Sequence, residues 1–264
     1  MKCSSYYYIN PSAPNKRTEF CKLKYEALNA RLIVNNNKTK YLYCTRKTIQ
    51  PTYINIGEEQ FEQVNSFKYL GTMVNTDSSI EEEIKERIAA GNRTFHVHKN
   101  LFTSKLISRN IKLQLHNTLI HPTVTYASET WVLKENMINK LMTFERKLMR
   151  KIYGPTRKED GYWRIKTNQE INDVLKRQNI IGFIKKQKLN WLGHIKCMAE
   201  DNIVLRINRS KPMFKRPTGR PRTCWEDDVL EDIKNMNVCN WKKAAQNREC
   251  WKKGVEQART LYRL

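Results

Sequence analysis

Hydrophobic residues follow two different periods along the chain, and the change falls near residue 77. Apolar residues recur every three or four positions from Lys16 to Ala30, which predicts an amphipathic helix. After an Asn-rich turn at 35–37, three runs have the composition of short strands, at 41–44, 53–56 and 67–71. Beyond residue 77 the spacing is helical up to the C-terminus. The pattern therefore predicts an α+β chain, in which a small antiparallel sheet is followed by helices.

Start and stop signals divide the helical part into separate helices. Capping boxes, in which Ser or Thr is followed three residues later by Glu, predict helix starts at Ser78, Thr167 and Thr223. Four long helices are predicted, at 108–120, 134–153, 178–197 and 240–262. Pro122 is expected to end or kink the first, and Gly154 to stop the second. The polar stretch at 156–166 is predicted to be a loop. Prolines interrupt the helical pattern between 206 and 222, which predicts a basic linker there.

Positive charge is the strongest feature of the composition. The 264 residues include 49 Lys or Arg and 26 Asp or Glu, which gives a formal net charge of +23. Such an excess favours an anionic partner, with nucleic acid as the first candidate, although a merely soluble basic protein has the same signature. The excess is largest from residue 176 to 222, which contains thirteen basic residues and two acidic ones. The proline-spaced Arg216, Arg220 and Arg222 suit a phosphate backbone or a minor groove, and also suit a disordered linker.

Cysteine and histidine spacing supports neither a metal centre nor a disulfide framework. Seven cysteines occur, and no two have Cys-x-x-Cys spacing. His194 and Cys197 form half of a zinc-site spacing, but the neighbouring Trp191 and Leu192 favour a histidine packed in a core. No apolar run reaches the ~20 residues of a membrane span, and the N-terminus has no secretory signal. We therefore expect an intracellular protein, in the nucleus or cytoplasm, with no membrane partner.

Five short motifs occur in one order along the chain. They are Leu-Ile-Val-Asn-Asn-Asn-Lys-Thr-Lys at 32–40, Phe-Lys-Tyr-Leu-Gly at 67–71, Tyr-Ala-Ser-Glu-Thr-Trp at 126–131, Trp-Leu-Gly-His at 191–194 and Gly-Arg-Pro-Arg-Thr-Cys-Trp at 219–225. Each motif is weak alone, but five in the right order make a specific pattern. With them the chain, over residues 20 to 262, resembles the C-terminal part of a non-LTR retrotransposon endonuclease/reverse transcriptase.

The resemblance implies a domain order. After an irregular lead-in at 1–15, residues 16–76 would be a remnant of the palm and 77–155 a helical thumb. Residues 156–264 would form a basic helical C-terminal region that contains the linker at 206–222. The activity of the parent family is RNA-directed DNA synthesis, so the implied partners are RNA, DNA or an RNA–DNA hybrid.

Polymerase catalysis is not expected of this chain by itself. Phosphoryl transfer with two metals needs paired aspartates in the palm, and the resemblance would put them just before the helix at 16–30. Tyr6 to Asn10 occupy that position, and the first aspartate of the chain is Asp77. The parent family uses Mg²⁺, whose ligands are lacking here, so we assign no cofactor and no catalytic residue. No nucleophile elbow, Gly-rich phosphate loop or Cys-His signature suggests another reaction.

The resemblance also implies nucleic-acid contacts in the strand-rich segment. Lys38 and Lys40 would lie near the phosphates of an incoming nucleotide, because lysine supplies a point charge. A primer grip would use Lys68, Tyr69 and Gly71. The alternatives are solvated surface lysines and a core strand at 67–71 with its apolar residues buried. Both can hold together, because alternation in a strand sends Lys68 and Tyr69 to opposite faces.

Basic residues on the predicted thumb helices complete the candidate site. Lys105, Arg109 and Lys112 could track a duplex or form a solvated face. The retained function would then be template–primer or nucleic-acid binding, by these thumb residues together with the strand residues and the arginines of the linker. The alternative is a domesticated or relic interaction protein that binds DNA, RNA or a protein partner through its helices.

Overall fold

We describe the fold from a computed structural model, in which residues 16–42, 53–56, 58–77, 79–175, 179–209, 224–237 and 240–261 are described. The chain divides into two units, Met1–Glu83 and Ile84–Leu264, here called unit 1 and unit 2. Several predicted features lie outside the described residues, namely the lead-in at 1–15, the capping residues Ser78 and Thr223, and linker residues 210–222 with Arg216, Arg220 and Arg222. The predicted domain boundaries stay predictions.

Unit 1 joins one helix to two β-hairpins. Its elements are α1 (Lys16–Asn29), β1 (Tyr53–Ile56), β2 (Glu59–Glu62), β3 (Ser66–Tyr69) and β4 (Thr72–Asn75). β1 pairs with β2 and β3 pairs with β4, both in antiparallel register. The predicted first helix and the α+β class with small antiparallel sheets are therefore confirmed. The sequence pattern misses β2, because Phe61 is its single apolar residue.

The core of unit 1 forms where α1 packs on the first hairpin. Phe20 of α1 meets Phe61 of β2 edge to face, with ring centroids 4.9 Å apart, and Ile56 is buried beside them. Lys24, one turn further along α1, pairs with Glu59 at 2.5 Å, and this hydrogen bond lowers the pKa of the Glu59 carboxyl. The helix thus adds both apolar and ionic contacts to the hairpin.

The motif at 67–71 ends in a turn rather than continuing as a strand. Tyr69 pairs with Thr72, so Leu70 and Gly71 form a two-residue turn, with φ values of 47° and 86°. Positive φ at both turn positions is typical of a type I′ hairpin, which glycine adopts without strain. Leu70 is 74% exposed and Tyr69 is 40% exposed. The expectation that the apolar residues of this motif are buried is therefore wrong for these two, while Phe67 is half-buried.

Unit 2 is helical apart from one hairpin. Its helices are α2 (Glu81–Val97, which starts at the end of unit 1), α3 (Lys99–Thr103), α4 (Arg109–Leu115), α5 (His121–Val124), α6 (Glu135–Tyr153), α7 (Asn168–Val174), α8 (Ile180–Lys196), α9 (Ile203–Arg209), α10 (Trp225–Asn235), α11 (Trp241–Gln246) and α12 (Arg248–Leu261). The hairpin pairs β5 (Thr156–Arg157) with β6 (Trp163–Arg164). None of the described helices combines the length and apolar character of a membrane span.

Local signals predict several helix ends of unit 2 correctly. The helices predicted at 134–153 and 178–197 are confirmed as α6 and α8. Gly154 ends α6 with a φ of 70°, a conformation that favours glycine. The capping box at the start of α7 is confirmed, because the Thr167 hydroxyl accepts from the Glu170 N–H while the Glu170 carboxylate accepts from the Thr167 N–H.

Pro122 neither ends nor breaks its helix. The helical path continues from α4 through a wide turn, His116–Ile120, into α5. In that wide turn the His121 N–H donates to the His116 carbonyl, five residues back. Because Pro122 has no N–H to donate, a wide turn next to it leaves the helical path intact.

Three further predictions for the C-terminal part need correction. The helix predicted at 240–262 is two helices, since Asn247 is extended between α11 and α12 and its side chain accepts from the Glu249 and Cys250 N–H groups. The predicted linker begins later than residue 206, because α9 continues to Arg209. The loop expected at 156–166 contains the β5–β6 hairpin.

Three of the recognised motifs make packing contacts in unit 2. Gly193 faces Trp251 so closely that a Cβ on the glycine would lie 2.2 Å from the indole nitrogen, which donates to the Leu189 carbonyl at 3.0 Å. The indole of Trp225 donates to the carbonyl of Glu129 at 2.7 Å, and so joins the motif at 219–225 to the one at 126–131. These tryptophans pack against the buried cluster of Leu189, Leu192, Val229, Ile233 and Val255.

Candidate nucleic-acid interface

A groove of about 560 Å³ runs between α2 and α6. The residues that line it are Lys85, Ile88, Ala89 and Asn92 from α2, and Asn139, Lys140, Thr143, Phe144 and Lys147 from α6. Their spacing within each helix is three, four or seven residues, which is the spacing of one helical face. The groove is therefore built by the facing stripes of two helices within unit 2.

Next to the groove, Gly91 makes a close contact with Phe144, one of the residues that line it. A Cβ on this residue would lie 2.5 Å from a methyl carbon of Val124 and 2.8 Å from the ring of Phe144. Both partners are buried. Since no larger residue fits there without movement, Gly91 lets α2 approach α6 and holds the walls of the groove at their separation.

Three lysines give the groove its charge. Lys85 and Lys140 flank it from opposite helices, and Lys147 lies two turns beyond Lys140. All three side chains are exposed, and none forms an ion pair with any residue that the structure describes. No described acidic residue lines the groove, whose other polar groups are the amides of Asn92 and Asn139 and the hydroxyl of Thr143. This chemistry suits an anion that also accepts hydrogen bonds.

The lysines of α8 are arranged in the opposite way. Lys185 pairs with Asp232 at 2.8 Å, Lys188 with Asp228, and Lys186 with Glu256. The carboxylates belong to α10 and α12. Three of the basic residues that make 176–222 the strongest local charge signal are therefore paired with carboxylates of the same chain. The interpretation of this stretch as an open basic surface is wrong for these lysines.

The predicted site residues of unit 1 lie on its hairpins and on the turn before them. Lys38 is exposed in a short 3-10 helix at Asn36–Lys38, and Lys40 pairs with Glu62 of β2. Lys68 is exposed on β3, followed by the partly exposed Tyr69 and by the turn residue Gly71. β3 and its turn thus bring Lys68, Tyr69 and Gly71 together.

The predicted site residues of unit 2 differ from one another in exposure. Lys105 and Arg109 are exposed, before α4 and at its first residue. Lys112 on the same helix is only 8% exposed, so the idea that it tracks a duplex is wrong. None of the three lines the groove. Arg216, Arg220 and Arg222 lie outside the described residues.

His194 and Cys197 make separate contacts. His194 is exposed, with its ring 5.5 Å from that of Trp191, so the expectation of a core histidine is wrong. The Cys197 thiol donates to the carbonyl of Ala245 at 3.2 Å. Among the residues that the structure describes, no three His, Cys, Asp or Glu side chains come together to hold a metal ion.

Two ionisable groups are buried near the start of α8. Glu145 of α6 is 3% exposed and accepts from the Ile180 N–H at 3.1 Å; burial raises the pKa of its carboxyl to about 7, although this hydrogen bond opposes the rise. Burial also lowers the pKa of His116. Its ring is 6.1 Å from that of His121, which contacts Phe183 edge to face at 4.4 Å. These groups join elements of the core and lie outside the lining of the groove.

Sequence reasoning misses the groove because its two walls are far apart along the chain. Lys85 and Lys140 come from different helices, and nothing in their local sequence marks them as neighbours. One signal is present, since Lys140, Lys147 and Lys151 recur at seven and four residues and share a helix face. No described carboxylate, histidine or cysteine lines the groove, and these are the side chains that most often act in acid–base or nucleophilic catalysis.

Comparison with known proteins identifies a distant relative. The chain is 24% identical over 234 residues to an uncharacterised transposon-derived protein of Caenorhabditis elegans, and the alignment covers 83% of this chain and 81% of the relative. No protein-family model matches the chain, and no solved structure matches it. The similarity to the nematode protein supports a transposon-related origin.

Proposed function

We propose that the chain is a fragment of the non-LTR reverse transcriptase lineage that binds nucleic acid through the groove between α2 and α6 and does not polymerise by itself. The observation that carries the proposal is the set of three lysines without ion pairs around a groove without an acidic lining. The net charge of +23 adds long-range attraction for the same ligand. The five ordered motifs and the transposon-derived relative support the lineage.

The spacing of the lysines suits a phosphate backbone. Lys140 and Lys147 are seven residues apart, which corresponds to about 10 Å along the axis of α6. Within each strand of a duplex, successive phosphates advance about 3.4 Å along the helix axis, so lysines at this separation can each reach one. Asn92, Asn139 and Thr143 can donate hydrogen bonds to phosphate or sugar oxygens, contacts that fix position without reading sequence.

The test is a salt series with a short fluorescein-labelled RNA–DNA duplex, followed by fluorescence anisotropy. The quantity measured is the slope of log K against the logarithm of the salt concentration. We expect the K85A/K140A/K147A variant to make this slope shallower by about 2 to 3, because each lost phosphate contact removes roughly 0.9 from it. The matched control removes the same charge from exposed lysines of α10 and α12, as K234A/K252A/K253A. Equal losses in both variants would mean that only the bulk charge matters, and would contradict the groove.

Primer extension tests the second half of the proposal. The purified chain is incubated with an annealed RNA template and DNA primer, deoxynucleotides and Mg²⁺. We expect no extension, because Asp77 is the first aspartate of the chain and the palm carboxylates implied by the resemblance are lacking. Extension above a heat-inactivated control would contradict this part while leaving the binding proposal open to the salt series.

A protein partner for unit 1 is a second candidate, favoured by exposed apolar residues on α1. Tyr25 and Leu28 lie three residues apart on one face and are 65% and 68% exposed, and Ile33 beyond the helix is 78% exposed. Sedimentation velocity over a range of concentrations tests for self-association through this face. A Y25S/L28S variant that sediments like the wild type at every concentration would exclude such self-association.

A further inference from the structure

The β5–β6 hairpin is held firmly on the body of unit 2. Arg164 forms two hydrogen bonds with the carboxylate of Glu170, at 2.8 and 2.7 Å, and this contact lowers the pKa of Glu170 to about 2. Lys166 donates to the Thr156 hydroxyl at 2.7 Å, and Arg150 of α6 donates to the Lys166 carbonyl at 2.9 Å. The base of the hairpin is therefore tied to α6 and α7 by side chains from both.

The turn of the hairpin is defined as well. The Lys158 N–H donates to the Tyr162 carbonyl at 2.8 Å, and the Gly161 N–H donates to the Lys158 carbonyl at 3.0 Å. Gly161 has a φ of 83°, which favours glycine and closes the turn without strain. Glu159 and Asp160 lie at the tip. The hairpin is thus a fixed projection with an acidic tip.

One face of the hairpin carries an exposed tryptophan beside an arginine. Arg157 and Trp163 are cross-strand partners, and strand alternation puts them on the face opposite to Thr156 and Arg164. The inner face makes the contacts that anchor the hairpin. On the outer face Trp163 is 67% exposed. Arg157 is exposed and forms no ion pair within the part of the chain that the structure describes.

A tryptophan in this setting has no packing role to explain it. Two other tryptophans, Trp225 and Trp251, bury part of the ring and donate from the indole to a backbone carbonyl. Trp163 does neither among the described residues. A rigid exposed indole beside an unpaired guanidinium combines the two groups that unpaired nucleic acid requires, a flat face for a base and a cation for the adjoining phosphate.

We propose that the outer face of the β5–β6 hairpin binds an unpaired nucleic-acid strand, with Trp163 stacking on a base and Arg157 contacting the neighbouring phosphate. The proposal deepens the proposed nucleic-acid function and rests on it. Because the tip is acidic, the strand crosses the hairpin near its base rather than over the tip.

The position of the hairpin along the chain connects it to the groove. Lys147 lines the groove, and Lys151 follows one turn later on the same face of α6. Arg157 lies six positions after Lys151 in the chain, so their Cα atoms are no more than about 21 Å apart. A ligand with both a paired and an unpaired part can therefore contact the groove and the hairpin at once.

The experiment compares three fluorescein-labelled probes by anisotropy with the full chain. The probes are a short RNA–DNA duplex, an oligothymidylate of about ten nucleotides, and a strand of the same length whose central residues are abasic. We expect W163A to weaken binding of the oligothymidylate roughly 5- to 100-fold, and to leave binding of the abasic strand almost unchanged. W163F should restore most of the affinity, because it keeps an aromatic face.

Two control variants separate this proposal from the groove. Y53A removes a similarly exposed aromatic residue from β1 of unit 1, and should not change oligothymidylate binding. K85A/K140A/K147A should weaken the duplex more than the single strand. Because Trp163 is exposed and makes none of the anchoring contacts, W163A should retain the wild-type circular dichroism spectrum.

The outcomes are distinguishable. If W163A weakens oligothymidylate binding, Y53A does not, and W163F restores the affinity, the result supports strand binding by the hairpin. If W163A binds every probe as the wild type does while the groove variant loses duplex affinity, the hairpin proposal is overturned and the groove remains. If the groove variant keeps full duplex affinity while W163A loses the single strand, the groove is overturned. Equal affinity of the wild type for the thymidylate and abasic strands rules out stacking.

Discussion

Helices α6 and α8 are both rich in lysine, and their lysines have different surroundings. Lys185, Lys186 and Lys188 of α8 each meet a carboxylate of α10 or α12. Lys140 and Lys147 of α6 meet none among the described residues and lie along the open groove. A basic helix is therefore evidence for an anionic ligand only after the partners of its cations are known. By that criterion α6, rather than the more basic stretch 176–222, is the better candidate surface.

The difference should appear first in stability, and the largest effect is expected at Asp228. Replacing Asp228 by Ala leaves Lys188, which is 1% exposed, as an unpaired buried cation, and we expect a loss of about 3–5 kcal/mol in the free energy of unfolding. The D228L/K188M double variant should recover most of that loss, because an apolar pair has no charge to desolvate. Urea unfolding measures both. A loss of less than about 1 kcal/mol in D228A would mean that Lys188 is not confined.

Glu145 joins the two helices and should make stability depend on pH. Its carboxyl pKa rises from 4.5 to about 7 in the folded protein, so the folded state holds the proton more tightly than the unfolded state. The stabilisation from the protonated form is complete below pH 4.5 and is lost as the pH rises through 7. Glu145→Gln removes this dependence. The wild type should lose on the order of 3 kcal/mol relative to E145Q between about pH 4.5 and 8.

Urea unfolding of both proteins across that pH range is the measurement. His116 has the opposite sign, because its lowered pKa gives stability that is present above pH 6.5 and is lost as the pH falls. It is present in both proteins, so its contribution cancels in the difference. A difference that stays constant with pH would show that Glu145 does not titrate in this range.

Two glycines test the comparison of α6 with α8 further. Gly91 allows a close helix contact next to the groove, and Gly193 allows one on α8. Gly91→Ala forces α2 against Val124 and Phe144, and Gly193→Ala forces α8 against Trp251. We expect each to cost about 1–3 kcal/mol through overpacking. G91A should also weaken duplex binding by the folded protein, because it moves a wall of the groove, whereas G193A should not. Equal losses of duplex affinity in G91A and G193A would contradict the proposal that the duplex binds in the groove.

The smallest stability effect is expected at the groove itself. Because Lys85, Lys140 and Lys147 have no described ion-pair partners, replacing each by Ala should change the free energy of unfolding by about 0.5 kcal/mol or less. Thermal melts followed by circular dichroism suffice. If replacing one of these lysines lowers the free energy of unfolding by more than about 1 kcal/mol, that lysine stabilises the fold as those of α8 do and is not an unpaired binding cation.

The sequence predicts the kind of ligand for the candidate site, but not the residues that form the site. An excess of cations and a set of ordered motifs indicate a nucleic-acid ligand, but they point to 176–222 and to the strand residues. The carboxylates that neutralise Lys185, Lys186 and Lys188 lie 47, 70 and 40 residues away along the chain. Pairing over such distances is decided by helix packing, which leaves no local pattern.

Local rules were sufficient wherever a structure depends on neighbours in the chain. The first helix, the end of α6 at Gly154 and the capping box of Thr167 and Glu170 follow from residues within a few positions of one another. By itself, therefore, the amino-acid order determined the α+β class, most helices of unit 2 and the cationic character. Tertiary structure decided which cations are free, which glycines and tryptophans lock helices together, and where a groove opens. These features depend on contacts between residues that are distant in sequence and meet only when the helices pack.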